Sequence, residues 1–138
     1  MVKKRLWMLL LTACLVLNSA WGVFAASDGT RLEIGSLEEL QKFAKSVDDG
    51  TLYEGETVVL TSDIDASGIT WNAIGEPAAN KSFKGTFDGQ GHKITLNINS
   101  ATGNNGLFVH NYGTIKNVIV AGSITTTGNT ATYNGAIC

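Results

Sequence analysis

The chain has 138 residues, with 10 basic and 12 acidic side chains, a formal net charge of −2 at pH 7, 16 glycines, one proline and two cysteines. That balance gives no electrostatic footprint for nucleic acid or for an anionic lipid surface. Cys14 and Cys138 are too few for a disulfide-stapled framework, so burial and backbone hydrogen bonding must hold the fold.

Residues 1–25 read as a secretory signal rather than as fold. Lys3, Lys4 and Arg5 form a basic start, residues 6–17 a mostly apolar run, and Val23, Phe24 and Ala25 a small-residue exit, with cleavage expected after Ala25. The run is too short for a membrane span. Leu11-Thr12-Ala13-Cys14 has the layout of a lipoprotein box, so contact with a membrane is expected only if Cys14 is lipidated. Chain that stays apolar after Cys14, where a polar tether is usual, favours ordinary cleavage and a secreted or cell-surface location. Without the leader, 7 basic and 12 acidic residues leave a net charge of −5, and Cys138 stands alone.

Two further segments follow: residues 26–56, holding a capping helix, and residues 57–138, read as the first coils of an incomplete repeat array. Residues 36–49, SLEELQKFAKSVDD, are the clear helix. Ser36 and Glu39 fit a capping box, Leu37, Leu40, Phe43, Ala44 and Val47 share one stripe, and Gly50 is a natural stop. Such a stripe could bind a partner, but it more often faces the protein's own core, here the open end of a β structure. Thr57 to Leu60 is a short β run, Trp71 to Ile74 and Phe83 to Phe87 two more. Ile94, Leu96 and Ile98 alternate with Thr95, Asn97 and Asn99, the signature of a strand with one buried face. Val118 and Val120 repeat the pattern, Ile124 with Thr125 to Thr127 starts another strand, and Tyr133 to Ile137 begins the last.

Residues 83–98, FKGTFDGQGHKITLNI, are echoed by Gly106-Leu107-Phe108 and by residues 113–120, GTIKNVIV. Gly85-Thr86 returns as Gly113-Thr114 after about 28 residues, a period typical of stacked repeats. Short strands, turn residues and one leading helix then predict an all-β chain. Its expected form is a right-handed parallel β-helix with an N-terminal amphipathic capping helix, incomplete at the C-terminus. The helix would cover a first coil whose free backbone groups otherwise recruit other chains.

Three carboxylates are placed suggestively. Asp63 and Asp65 are two apart, so on a strand they share a face, and Asp88 precedes a glycine. Such groups could bind Ca²⁺ through oxygen or act on a glycosidic bond. Asp65-Ala66-Ser67-Gly68 and Asp88-Gly89 read more simply as turns whose Asp side chains accept backbone N–H bonds. His92 has no His or Cys companion at a ligand spacing, with His110 too far along the chain, so a structural role in the turn is expected. Gly85, Gly89, Gly91, Gly106 and Gly113 punctuate β runs, and none belongs to a phosphate loop. Trp71, Phe83, Phe87 and Phe108 could stack on sugars but are expected in the core. Asn80-Lys81-Ser82 matches a glycosylation triplet. No catalytic residue and no cofactor is assigned, with Ca²⁺ at Asp63, Asp65 or Asp88 the weak candidate.

Several blocks in this order resemble exported bacterial surface proteins with GLUG-type repeats: residues 36–40 (SLEEL), 60–65 (LTSDID), 71–75 (WNAIG) and 83–94 (FKGTFDGQGHKI). Gly106-Leu107-Phe108 is similar to the repeat signature and residues 113–117 (GTIKN) to its continuation, though Val109 stands where the family often has Gly. The resemblance covers residues 34–138. It implies a right-handed parallel β-helix of the pectate-lyase-like type in large secreted or wall-attached proteins, many of them adhesin-like. The repeats also occur in immunoglobulin A1 protease-type metallopeptidases, whose catalysis sits in a separate zinc domain, and this chain has no His-Glu-x-x-His motif.

The expected function is a non-catalytic adhesion or display scaffold. Its partners would be carbohydrate or a host or cell-surface protein, and the remainder of the same polypeptide beyond Cys138. The rival is the N-terminal part of a polysaccharide lyase or glycoside hydrolase, or of a secreted peptidase with its catalytic domain elsewhere. Fold alone does not separate them.

Overall fold

A computed structural model of the chain describes residues 31–101, 103–128 and 133–137. The leader expected at residues 1–25, with Cys14, lies outside the described residues, and so does Cys138. Leu32 and Ile34 alternate with Arg31 and Glu33 to form β1 (Arg31–Ile34), with Ile34 fully buried. The helix α1 (Leu37–Asp48) follows at once. Ser36 caps it, its Oγ accepting the Glu39 N–H at 3.2 Å. The reciprocal bond of the expected capping box lands one residue earlier, on the Gly35 N–H, which donates to Glu39 Oε2 at 2.8 Å. At the other end Gly50 takes φ +102. The Gly50 N–H reaches the Val47 carbonyl at 2.9 Å and the Thr51 N–H the Ser46 carbonyl at 2.8 Å, so a Schellman motif closes the helix.

The remaining elements are β2 (Thr57–Leu60), β3 (Ile64–Ala66), β4 (Thr86–Asp88), β5 (Lys93–Ser100), β6 (Asn104–Asn105), β7 (Thr114–Lys116), β8 (Ile119–Thr126) and β9 (Tyr133–Asn134). They form three sheets, ordered β1-β2-β4-β7, β3-β5-β8 and β6-β9, and every pairing is parallel. The described chain is thus mostly β, with one helix. Partners lie 26 to 30 residues apart along the chain, as in Arg31↔Thr57, Thr57↔Thr86, Thr86↔Thr114, Ile64↔Ile94, Ile94↔Val120 and Asn105↔Asn134. Isolated parallel bridges join Ile74 to Phe108 and Phe83 to Asn111. From β4 onward the chain visits the three sheets in one order, β4-β5-β6, then repeats it as β7-β8-β9.

The echo of Gly85-Thr86 in Gly113-Thr114 is therefore a pairing register. Thr86 faces Thr114, and the Thr114 N–H donates to the Gly85 carbonyl at 2.9 Å. The rows come so close that a Cβ on Gly113 would collide with the Gly85 carbonyl oxygen. Glycine at this position is a packing requirement.

The inner positions of β1 to β5, α1, β7 and β8 meet in one core. Leu40, Phe43, Ala44 and Val47 of α1 are buried in it, with Leu37 packed against its margin, so the helical stripe faces the protein's own interior. At its centre Phe43 lies 5.6 Å from Phe83, 5.8 Å from Phe87 and 6.5 Å from Phe108, ring centre to ring centre. Tyr53 adds an edge contact with Phe43 at 5.2 Å. Offset and edge contacts of this kind add to the area term of burial.

Some boundaries differ from the sequence reading. Val120 and Ile124 belong to one strand, β8, because Gly122 takes φ +116 and the chain continues through it in register with Leu96. Trp71 to Ile74 forms no strand, only the Ile74 bridge, and of Phe83 to Phe87 only the last two residues are in β4. Ala66 ends β3 instead of sitting in a turn. Val109 needs no glycine-like backbone: it is not among the residues with positive φ, and its N–H donates to the Ile74 carbonyl at 2.8 Å.

Candidate functional site

Asp63 immediately precedes β3 and Asp65 lies within it. Both are exposed or partly so while Ile64 and Ala66 are buried, so period-two alternation turns the two carboxylates to the same outer face. Each already has a local task. Asp63 Oδ1 accepts the Lys93 N–H at 3.0 Å and sits 3.3 Å from His92 Nδ1. Asp65 Oδ1 accepts the Ser67 N–H at 2.9 Å, closing the turn that follows. Hydrogen bonding holds both carboxyls below their ordinary range, from the Lys93 backbone first and then His92 for Asp63, and from Ser67 for Asp65.

Asp88 is placed differently. It ends β4 in the four-stranded sheet and is buried. Its Oδ1 accepts the Gln90 N–H and the Asn117 Nδ2–H, each at 3.0 Å, and Lys116 Nζ stands 3.4 Å from Oδ2. These contacts hold its carboxyl below the usual range, the Gln90 N–H contributing most and Asn117 next. They also fix a tight corner in which Gln90 and Asn117 both take positive φ, 54° and 52°. Asp63 and Asp65 share a face, then, and Asp88 belongs to another sheet. Among the described residues no three His, Cys, Asp or Glu side chains gather as a metal centre.

His92 sits in the corner after β4, tied to Asp63 across the start of the β3–β5 pairing. His110 lies beside Gly75, and its Nδ1, like Trp71 Nε1, is buried with no hydrogen-bond partner among the described residues. Trp71, Phe83, Phe87 and Phe108 are between 0 and 6 % exposed, which removes them as sugar platforms. Among the described residues the exposed large hydrophobic side chains are Tyr112 and Ile119, at 65 % and 54 %. Sequence reasoning missed both, though Ile119 had a signal: if Val118 and Val120 point inward, the residue between them points out. Ser82 of the glycosylation triplet is fully buried, its Oγ donating to the Ala78 carbonyl at 2.8 Å.

The continuous feature is the outer face of β3-β5-β8. Asp65 and Thr95 lie side by side in register, and Asn97 faces Ser123 and Asn99 faces Thr125. Asn97, Asn99, Ser123 and Thr125 are exposed, and the Ser123 hydroxyl donates to Asn97 Oδ1 at 3.2 Å. Lys93 and Ile119 close one end next to Asp63. This is a mostly neutral array of exposed hydroxyl and amide groups, able to hydrogen-bond. Its one carboxylate–imidazole pair is Asp63 with His92. No protein-family model, no curated protein and no solved structure matches the chain.

Proposed function

We propose that the chain forms successive turns of a right-handed parallel β-helix headed by α1, in an exported or cell-surface protein, and that it acts as a non-catalytic scaffold for adhesion or display. One observation carries this reading: in all three sheets neighbouring strands pair in parallel and lie 26 to 30 residues apart along the chain. A chain that returns to the same three walls at a steady period lays its outward side chains in rows, and rows make extended surface. Supporting it, the face of Asn97, Asn99, Ser123 and Thr125 offers donors and acceptors at strand spacing, about 4.8 Å between rows and about 7 Å along one. Hydroxyl-rich carbohydrate, or the polar surface of a protein, is the chemistry that fits.

The test is retention on immobilised polysaccharides and on cell-surface protein, comparing the chain with an N97A/N99A/S123A/T125A variant. Loss of retention by about tenfold, or about 1.4 kcal/mol, with an unchanged melting temperature is expected. The Asp63–His92 pair supports the rival reading of a polysaccharide-cleaving protein. Release of reducing or unsaturated ends from polysaccharide, with or without Ca²⁺, and its loss in Asp63→Asn, would replace the scaffold reading with that one.

A further inference from the structure

The outer face of β3, β5 and β8 is graded in side-chain bulk as well as in polarity. Register arranges its positions in tracks that cross the strands. In the first, Lys93 pairs with Ile119, next to Asp63, whose Oδ1 accepts the Lys93 N–H at 3.0 Å. Asp65, Thr95 and Ala121 make the second track, and Asn97 with Ser123 the third. Lys93, Ile119, Asn97 and Ser123 are exposed, whereas Thr95 and Ala121 are half-buried and carry only a small hydroxyl side chain and a methyl. The second track is therefore a shallow trough running across the strands. Lys93 and Ile119 wall one side, Asn97 and Ser123 the other, and the Asp65 carboxylate stands at one end.

These residues offer several kinds of contact to one ligand. Ile119 presents apolar surface that gains by being covered. Asp65 Oδ1 accepts the Ser67 N–H, and a carboxylate has further lone pairs for hydroxyl donors. The Ser123 hydroxyl donates to Asn97 Oδ1, which leaves the Asn97 amide hydrogens to a ligand. A molecule that shows C–H surface and hydroxyl groups at every step, as a sugar ring does, meets all of these. Charge then selects among sugars. On these tracks the carboxylates of Asp63 and Asp65 outnumber the ammonium of Lys93, and hydrogen bonding holds both carboxyls below their ordinary range, so both stay ionised. A glycan with an acid on every ring would set like charges beside Asp65, which an interface penalises.

We infer that the trough binds a linear, neutral β-1,4-linked glycan lying across the strands, one ring to each strand. The inference rests on the scaffold reading above and specifies its ligand and the ligand's direction. An extended β-1,4 chain advances by little more than one strand spacing, about 4.8 Å, per ring, so three successive rings meet Asp65, Thr95 and Ala121. Laid along a strand, the same chain would find outward side chains only every second residue, about 7 Å apart, out of step with its rings.

The test is calorimetric titration of the full chain with cello-oligosaccharides, and competition by polymers of known charge and linkage. Affinity should rise about tenfold from cellobiose to cellotetraose as further rows engage. Hydroxyethylcellulose should bind about tenfold or more tightly than carboxymethylcellulose, which has the same backbone with acid groups added. Dextran, neutral but differently linked, should not compete. Ala121→Phe fills the trough and should lower affinity about tenfold or more with an unchanged melting temperature. Asp65→Asn keeps an acceptor for Ser67, discards the charge, and should narrow the gap between the neutral and acidic polymers. Preference for carboxymethylcellulose, equal competition by dextran, full binding by Ala121→Phe, or an unchanged gap in Asp65→Asn overturns the proposal. Retention of the parent that is lost in N97A/N99A/S123A/T125A but kept in Ala121→Phe leaves the scaffold reading standing and removes the trough alone. A parent retained on no polysaccharide and no cell-surface protein removes both.

Discussion

Asp48 closes α1 with a carboxylate that accepts the Gly75 N–H at 2.9 Å. Burial pushes its pKa up and outweighs the pull of that hydrogen bond, and the negative charges of Glu76 and Asp49 push the same way. The C-terminal end of a helix is also the wrong end for an anion. Because the folded-state value is raised, Asp48 favours folding fully only below its unfolded pKa, and that contribution is lost as pH rises through the folded value. Asp48→Asn keeps an acceptor for Gly75 and discards the charge. It should raise the denaturation midpoint at pH 7, the difference from the parent vanishing below about pH 4. Asp63, Asp65 and Asp88 have the opposite sign. Their lowered values stabilise the fold above the unfolded pKa, and protonation removes that stability as pH falls. Asp88→Asn should therefore weaken the protein at pH 7 and flatten its acid unfolding, measured by urea denaturation across pH. At Gly113 the effect is steric: Gly113→Val drives a side chain into the Gly85 carbonyl and should cost about 1–3 kcal/mol.

At the scale of elements, α1 joins the core through Leu40, Phe43, Ala44 and Val47, and Phe43 is the ring among them. Phe43 meets the rings of Tyr53, Phe83, Phe87 and Phe108, which come from three separate stretches of chain. Phe43→Ala should cost about 3–5 kcal/mol by chemical denaturation, whereas Lys42→Ala, on the exposed face, should leave stability nearly unchanged. The helix was legible in the sequence because its signals are local: cap, stripe and stop all lie between Ser36 and Gly50. β5 was legible for the same reason. β1 and β3 are too short for alternation to declare itself, and are defined by pairing with β2 and β5. Gly122 reads as a breaker along the chain, and only the opposing Leu96 reveals why it is tolerated. The candidate site was half legible. The shared face of Asp63 and Asp65 follows from their spacing, but the partners that occupy Asp63 and Asp88 stand a full repeat away, as His92 and Asn117. No local pattern exposes a contact across rows.

For the whole molecule, the charge distribution divides the work. Acidic and basic residues concentrate before Asp65, and from Ile94 onward Lys116 is the only charged residue. The early part of the chain holds the helix and its ion pairs, and the later part offers neutral amide and hydroxyl rows. On the scaffold reading proposed above, weak, additive hydrogen bonding over many rows would be the mode of binding, with affinity growing with the number of rows engaged.

The near-uniform separation of paired strands also has a mechanical meaning. Each stretch of chain is held by the one before it, so a pull on the C-terminal end loads the last row alone. Rupture should proceed in steps. Each step frees one repeat, and at about 3.3–3.6 Å per residue the stretch from Thr86 to Thr114 amounts to about 90–100 Å of slack. A force–extension trace should show a sawtooth of that spacing, which is the behaviour of a tether that yields by increments while its base stays folded.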